Sequence, residues 1–145
     1  MTRTKEDVLR QIDDAGVKYI RLCFTDILGK IKGMSITRSE IEQVLAEGQG
    51  FDGSSVQGFA RIEESDLMAI CDPLTFRIIP WTVGGEKIAM LFCDIENPDG
   101  SPYEGDPRAV LKRNLKKLEE KGWTYYVGPE MEYFYFRNDK GTELL

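Results

Sequence analysis

The sequence predicts an α+β fold: one helix packed on a mixed sheet of four or five strands, followed by an incomplete α/β segment of a second domain. Three observations carry that expectation. Segments of period two, such as VKYIRLCFT (17–25), alternate with segments of helical period bounded by capping residues. The continuous apolar run Ile88 to Cys93 reads as a central strand covered on both faces. The turn-rich stretch NPDGSPYEGD (97–106) then separates this region from a further helix and two more strand-like runs.

Each element follows from local chemistry. Thr4 and Asp7 form a capping box, Val8, Leu9 and Ile12 make one apolar stripe, and Gly16 closes the first helix. Residues 17–25 place Ile20, Leu22 and Phe24 on one face of a half-buried strand. A turn at Asp26 to Lys30 leads into a weaker strand, KIKGMSIT, so a hairpin is expected. Thr37 and Glu40 form a second capping box before Ile41, Val44 and Leu45, and Gly48 ends that helix.

Residues 48–58, GQGFDGSSVQG, contain four glycines and two serines and read as a loop rather than the interior of an element. Strands return at DLMAIC (66–71), TFRII (75–79) and KIAMLFCD (87–94). Asp106 and Pro107 fit the N-cap and first position of a helix carrying Leu111, Leu115 and Leu118 on one face, with Gly122 as its stop. WTYYV and EMEYFYF follow as strands.

Composition narrows the function. Hydrophobic residues at 41% and charged residues at 30% of 145 suit a chain with a buried core. A net charge of -6, with the densest basic run (KRNLKK, 112–117) followed by two glutamates, argues against nucleic acid. No apolar run approaches the ~18 residues of a membrane span and the N-terminus is charged, so no membrane partner is expected and a soluble, cytoplasmic protein is. Cys23, Cys71 and Cys93 lack CxxC spacing and sit in apolar strand-like runs, as buried reduced thiols do. With no histidine, Ser-His-Asp and Cys-His catalysis and histidine metal sites are excluded within this chain.

Two stretches carry candidate chemistry. On a strand, Glu130 and Glu132 share a face, with Cα atoms roughly 6.5 to 7 Å apart at a rise of about 3.3 Å per residue. Such a pair suits one hard cation bridging both carboxylates, or two cations each holding one, and its oxygen ligands favour Mg²⁺ or Mn²⁺ over zinc. A bare E-x-E more often belongs to an edge strand whose acids face water while its aromatic face packs. The loop FDGSS (51–55) offers Asp52, Ser54 and Ser55, with Glu63, Glu64 and Asp66 soon after. Its charge is wrong for a phosphate cradle and right for a small cation, although an Asx turn at Asp52-Gly53 explains the same residues.

Taken in order, DILGKIKGM, FDGSSVQGF with IEESDL, IIPW, DPRAVL and GPEMEYFYF resemble glutamine synthetase, the ATP-dependent ligase that joins ammonia to glutamate, from about residue 17 to 136. The resemblance implies an N-terminal β-grasp domain at 1–103 and the opening of a catalytic domain at 104–145. It implies Glu130 and Glu132 as ligands of Mg²⁺ or Mn²⁺. It also implies that Asp52, beside Ser54 and Ser55, binds and deprotonates ammonium in the active site of the neighbouring subunit of a homo-oligomeric ring.

The chemistry implied is phosphoryl transfer from ATP to glutamate and attack of ammonia on the acyl phosphate. The chain stops before the family's nucleotide-binding residues and remaining metal ligands, so by itself it is expected to be inactive. A free-standing β-grasp interaction module and a truncated partner subunit of a full-length synthetase stay open beside this reading.

Overall fold

Helix α1 (Lys5–Ala15) starts where the sequence places it. Thr4 Oγ1 accepts from the Asp7 N–H at 3.2 Å, and Asp7 returns the bond to the Thr4 N–H at 3.1 Å, satisfying two end donors that helical bonding leaves open. Gly16 ends the helix at φ 67°, a left-handed conformation that a side chain would oppose. The structure, a computed structural model, describes residues 3–54 and 66–145 and divides into two units, Met1–Asn114 and Leu115–Leu145.

In the first unit, β1 (Tyr19–Thr25) and β2 (Ile31–Thr37) form the expected antiparallel hairpin. Asp26 builds its turn: its Oδ1 accepts from the Leu28 and Lys30 N–H groups at 2.9 and 2.8 Å, and Lys32 Nζ stands 3.9 Å from Oδ2, so a buried acid is bonded on one oxygen and paired on the other. Helix α2 (Ile41–Glu47) follows after an extra turn. Only half of its capping box forms, with the Glu40 carboxylate on the Thr37 N–H at 2.8 Å, while the Thr37 hydroxyl bonds that carboxylate and Ser39.

The sheet runs β2-β1-β6-β4-β3, with β5 also on β6. Here β3 is Gln49–Asp52, β4 Asp66–Cys71, β5 Arg77–Val83 and β6 Glu86–Glu96. β1 lies parallel to β6 and every other pairing is antiparallel, which gives the mixed sheet expected. Leu22, Ala69, Ala89 and Leu91 join Val8 and Ile12 of α1 and Ile41, Val44 and Leu45 of α2 in one core. Among the described residues, two helices therefore supply buried faces where one was expected, and the strands number six.

Three further differences have local causes. β6 is central, but only Ala89, Leu91, Cys93 and Ile95 are buried and the alternate residues are half-buried, so its two faces are not equally covered. β3 forms within the stretch read as a loop, because Phe51 stacks on Phe24 at 4.8 Å and β4 takes up the backbone groups that the glycines left open. β5 extends past Pro80 with a shift of register between Ile78 and Thr82, tolerable because β5 is an edge strand and proline has no N–H to offer a ladder. Gly84 and Gly85, both at positive φ (61° and 83°), make the tight turn from β5 to β6.

Helix α3 (Pro107–Glu119) is tied to the sheet through its first turn. Asp106 is fully buried, with Oδ2 accepting from the Ile95 and Ala109 N–H groups (3.1 and 3.2 Å) and Oδ1 from that of Arg108 (2.9 Å). One carboxylate thus caps the helix and closes the end of β6. Arg108 spans Asp72 at 2.5 Å and Asp94 at 2.7 Å, and Lys112 adds a second bond to Asp94 at 2.5 Å.

The second unit differs most from expectation. Among the described residues, 124–136 form no strand, and the segment's one ladder contact is a bridge between Phe136 and Leu144. A strand exists only when a neighbouring backbone takes its N–H and C=O groups, and alternation alone supplies no such neighbour.

Truncating Leu91 to Ala leaves a cavity in the core, and urea denaturation is expected to show a loss of about 2–5 kcal/mol. A loss under about 1 kcal/mol would mean that the site collapses onto the gap. Burial opposes ionisation of Asp72, but the Arg108 hydrogen bond, the Leu74 N–H and the charges of Arg108 and Lys112 together outweigh it and hold the carboxyl below its ordinary value of 3.8. A depressed acid contributes stability that is complete above the unfolded value and lost as pH falls through the folded one. Asp72→Asn is therefore expected to cost about 1–3 kcal/mol at neutral pH, with the two stability curves converging in acid. A constant gap down to about pH 2 would contradict the pairing.

Candidate functional site

Asp52 is the last residue of β3 and lies directly across the sheet from Asp66, the first residue of β4. The pairing sets two acids opposite one another at the end of the strand pair, a juxtaposition that sequence distance conceals. Asp52 is exposed, and its Oδ1 accepts from the Ser54 N–H at 2.9 Å, the Asx turn that its sequence allowed. That bond, with a second contribution from the Ser54 side chain, holds the Asp52 carboxyl below its ordinary value. Asp52 is thus an anion at neutral pH, oriented by the residue two places on.

What fixes Asp52 is its neighbour Phe51, whose ring lies on Phe24 of β1. Phe24, Phe51, Met34, Gly33 and Lys32 line a hollow of about 290 Å³ beside this strand end. Ser54 is exposed next to Asp52, and the structure brings these two together. Ser55, Glu63 and Glu64 lie outside the described residues.

Glu130 and Glu132 belong to the second unit. Both are exposed, and among the described residues neither carboxylate makes an ion pair or hydrogen bond, so their oxygens are open donors. The expected strand that would align them is not formed. The rings of Tyr133 and Tyr135 nonetheless meet edge to face at 5.2 Å, as side chains two residues apart do on extended backbone. No group of three or more His, Cys, Asp or Glu side chains is gathered for a metal among the described residues.

Sequence reasoning missed the carboxylates that anchor α3. Asp72 and Asp94 each follow a core cysteine at the end of a strand run, and that signal becomes meaningful only once Cys71 and Cys93 are known to be cross-strand partners. Among the described residues, no helix is long and apolar enough to cross a membrane.

Comparison with known proteins gives a consistent family. The glutamine synthetase β-grasp domain matches residues 16–98, and the glutamine synthetase catalytic domain matches residues 104–144. A glutamine synthetase of Staphylococcus aureus (strain Mu50 / ATCC 700699) is 50% identical over 143 residues, covering 98% of this chain and 32% of the relative. One of Mycobacterium bovis is 49% identical over 136 residues, covering 92% of this chain and 30% of the relative.

Among solved structures, a Plasmodium falciparum glutamine synthetase matches the fold with TM-score 0.72 at 24% identity, over 84% of this chain and 24% of that one. A GmaS/ADP complex matches with TM-score 0.70 at 25% identity, over 79% of this chain and 26% of that one. The chain spans about a third of the length of the curated relatives it matches. With the β-grasp match alone covering more than half of its residues, the chain belongs to the glutamine synthetase family.

Proposed function

We propose that this chain is the N-terminal portion of a glutamate–ammonia ligase, with residues 1–103 as its β-grasp domain and 104–145 as the opening of its catalytic domain. The observation that carries the reading is the pair of family matches at 16–98 and 104–144, divided at the turn-rich connector. The reaction proposed for the intact protein transfers the γ-phosphoryl group of ATP to the glutamate side chain and lets ammonia displace it, giving glutamine. A cytoplasmic location fits the three unpaired thiols.

Asp52 is proposed to serve ammonium. Its carboxylate, kept anionic by the Ser54 N–H, attracts a cation, and the same bond makes it a weak base. Proton abstraction therefore requires that the Ser54 bond be released or shared. Ser54 and Ser55 are proposed to shape that loop, and in a homo-oligomeric ring the loop would serve the neighbouring subunit's site.

Glu130 and Glu132 are proposed to hold Mg²⁺ or Mn²⁺. Two exposed carboxylates without competing partners are a suitable hard-oxygen donor set, although two ligands are few for tight binding. The metal, when bound, supplies neutralisation of phosphate charge. The chain's own part is to present both carboxylates from one short segment.

Titration of the chain with Mn²⁺, followed by paramagnetic broadening of amide resonances, is expected to locate weak binding, on the order of 10⁻³ M, at residues 128–134. Glu130→Gln with Glu132→Gln is expected to abolish that broadening. Broadening centred on Asp52 and Asp66, or unchanged in the double variant, would remove the assignment. A coupled assay for ATP-dependent glutamine formation by the 145-residue chain is expected to show none, and turnover would overturn the proposed need for further residues.

A further inference from the structure

Cys71 ends β4 and Cys93 lies directly opposite it on β6. The Asp72 N–H donates to the Phe92 carbonyl at 2.9 Å while the Phe92 N–H goes to Thr75 Oγ1 at 2.8 Å, so the neighbouring 72/92 position is of the hydrogen-bonded type with one of its two ladder bonds made. Pair types alternate along an antiparallel ladder, so 71/93 is a non-hydrogen-bonded pair, the type in which Cα atoms approach to about 4.5 Å. That lies within the ~4.4–6.8 Å span that a disulfide bridges. The two Sγ atoms already stand 3.7 Å apart, both in the core. Cys23 pairs across β1 and β6 with Phe92 and so shares the opposite face of the sheet from Cys93.

We propose that Cys71 and Cys93 are a thiol oxidation site, forming a reversible cross-strand disulfide when the folded chain meets a peroxide. Cys71 is the first to react, since it retains some exposure (8%) and Cys93 has none. The hydrogen bond to Cys71, together with burial, also pushes Cys93 far above the ordinary thiol range, so Cys93 keeps its proton.

The Cys71 thiolate attacks one peroxide oxygen, the O–O bond breaks, and the other oxygen leaves as water once protonated, giving Cys71 sulfenic acid. Cys93 Sγ then attacks that sulfur. The S–S bond forms, the S–OH bond breaks, and the hydroxide departs as water with the Cys93 proton. Two thiols lose two electrons in total, and one peroxide is reduced to two waters.

The position gives the bond a consequence. The residues after the two cysteines are Asp72 and Asp94, the carboxylates that Arg108 spans. A covalent link between β4 and β6 fixes the strand separation on which that span depends, so oxidation acts on the attachment of α3.

The test treats the purified, folded chain with hydrogen peroxide, unfolds it, counts thiols and maps the linked peptides. Titratable thiols are expected to fall from three to one, with one cross-link joining Cys71 to Cys93 and full recovery in dithiothreitol. Cys23→Ser is expected to lose both remaining thiols, and Cys93→Ser is expected to leave a Cys71 sulfenic acid that dimedone traps. Tm is expected to rise on oxidation and to fall back on reduction. Three thiols surviving in the wild-type chain, a link involving Cys23, a link between two chains, or sulfinic acid at Cys71 without a link would each overturn the proposal. The wild-type peptide map decides the matter even where a variant fails to fold.

Discussion

One strand has to satisfy three others. β6 is eleven residues long and divides its backbone among β1 and β5 over its first half and β4 over its last residues. Its final turn of alternation then assigns one task to each position. Cys93 faces the core opposite β4, Asp94 takes Arg108 and Lys112, and the Ile95 N–H goes to buried Asp106. A slip of one residue would bury Asp94 and expose Cys93 and Ile95, breaking the core and the helix attachment together. Period-two geometry is therefore the constraint under which the sheet, the core and the start of α3 are mutually consistent.

Elements whose instructions are local were legible. The Thr4 and Asp7 box, Gly16 and the Asp26 turn each satisfy backbone groups within four residues, so their sequence contains the whole interaction. β3 was not legible because its stability comes from Phe24 and β4, and its glycines point locally to a loop. The same holds for the α3 anchor, which joins Asp72, Asp94 and Arg108 across as many as 36 residues. Such partners are found by topology, and topology is what pattern reading resolves least well.

The candidate residues divide in the same way. The anionic, oriented state of Asp52 follows from two adjacent residues and could be anticipated from Asp-Gly-Ser. Glu130 and Glu132 lie in a segment whose alternation reads as a strand but whose aromatic side chains stand in solvent, with Tyr126 86% and Phe134 76% exposed. Periodicity there records which side chains would share a face. It does not supply the backbone that would make the segment a strand, and the metal reading of the two acids rests on their motif and free oxygens.

The opposition of Asp52 and Asp66 has a mechanical meaning. Like charges set directly across a strand pair are destabilising, while Phe51 one residue inward packs its ring on Phe24. The terminal rung therefore carries a repulsion that the aromatic contact one residue inward offsets. A positive charge brought to that rung would relieve the repulsion and leave the core behind it as it is.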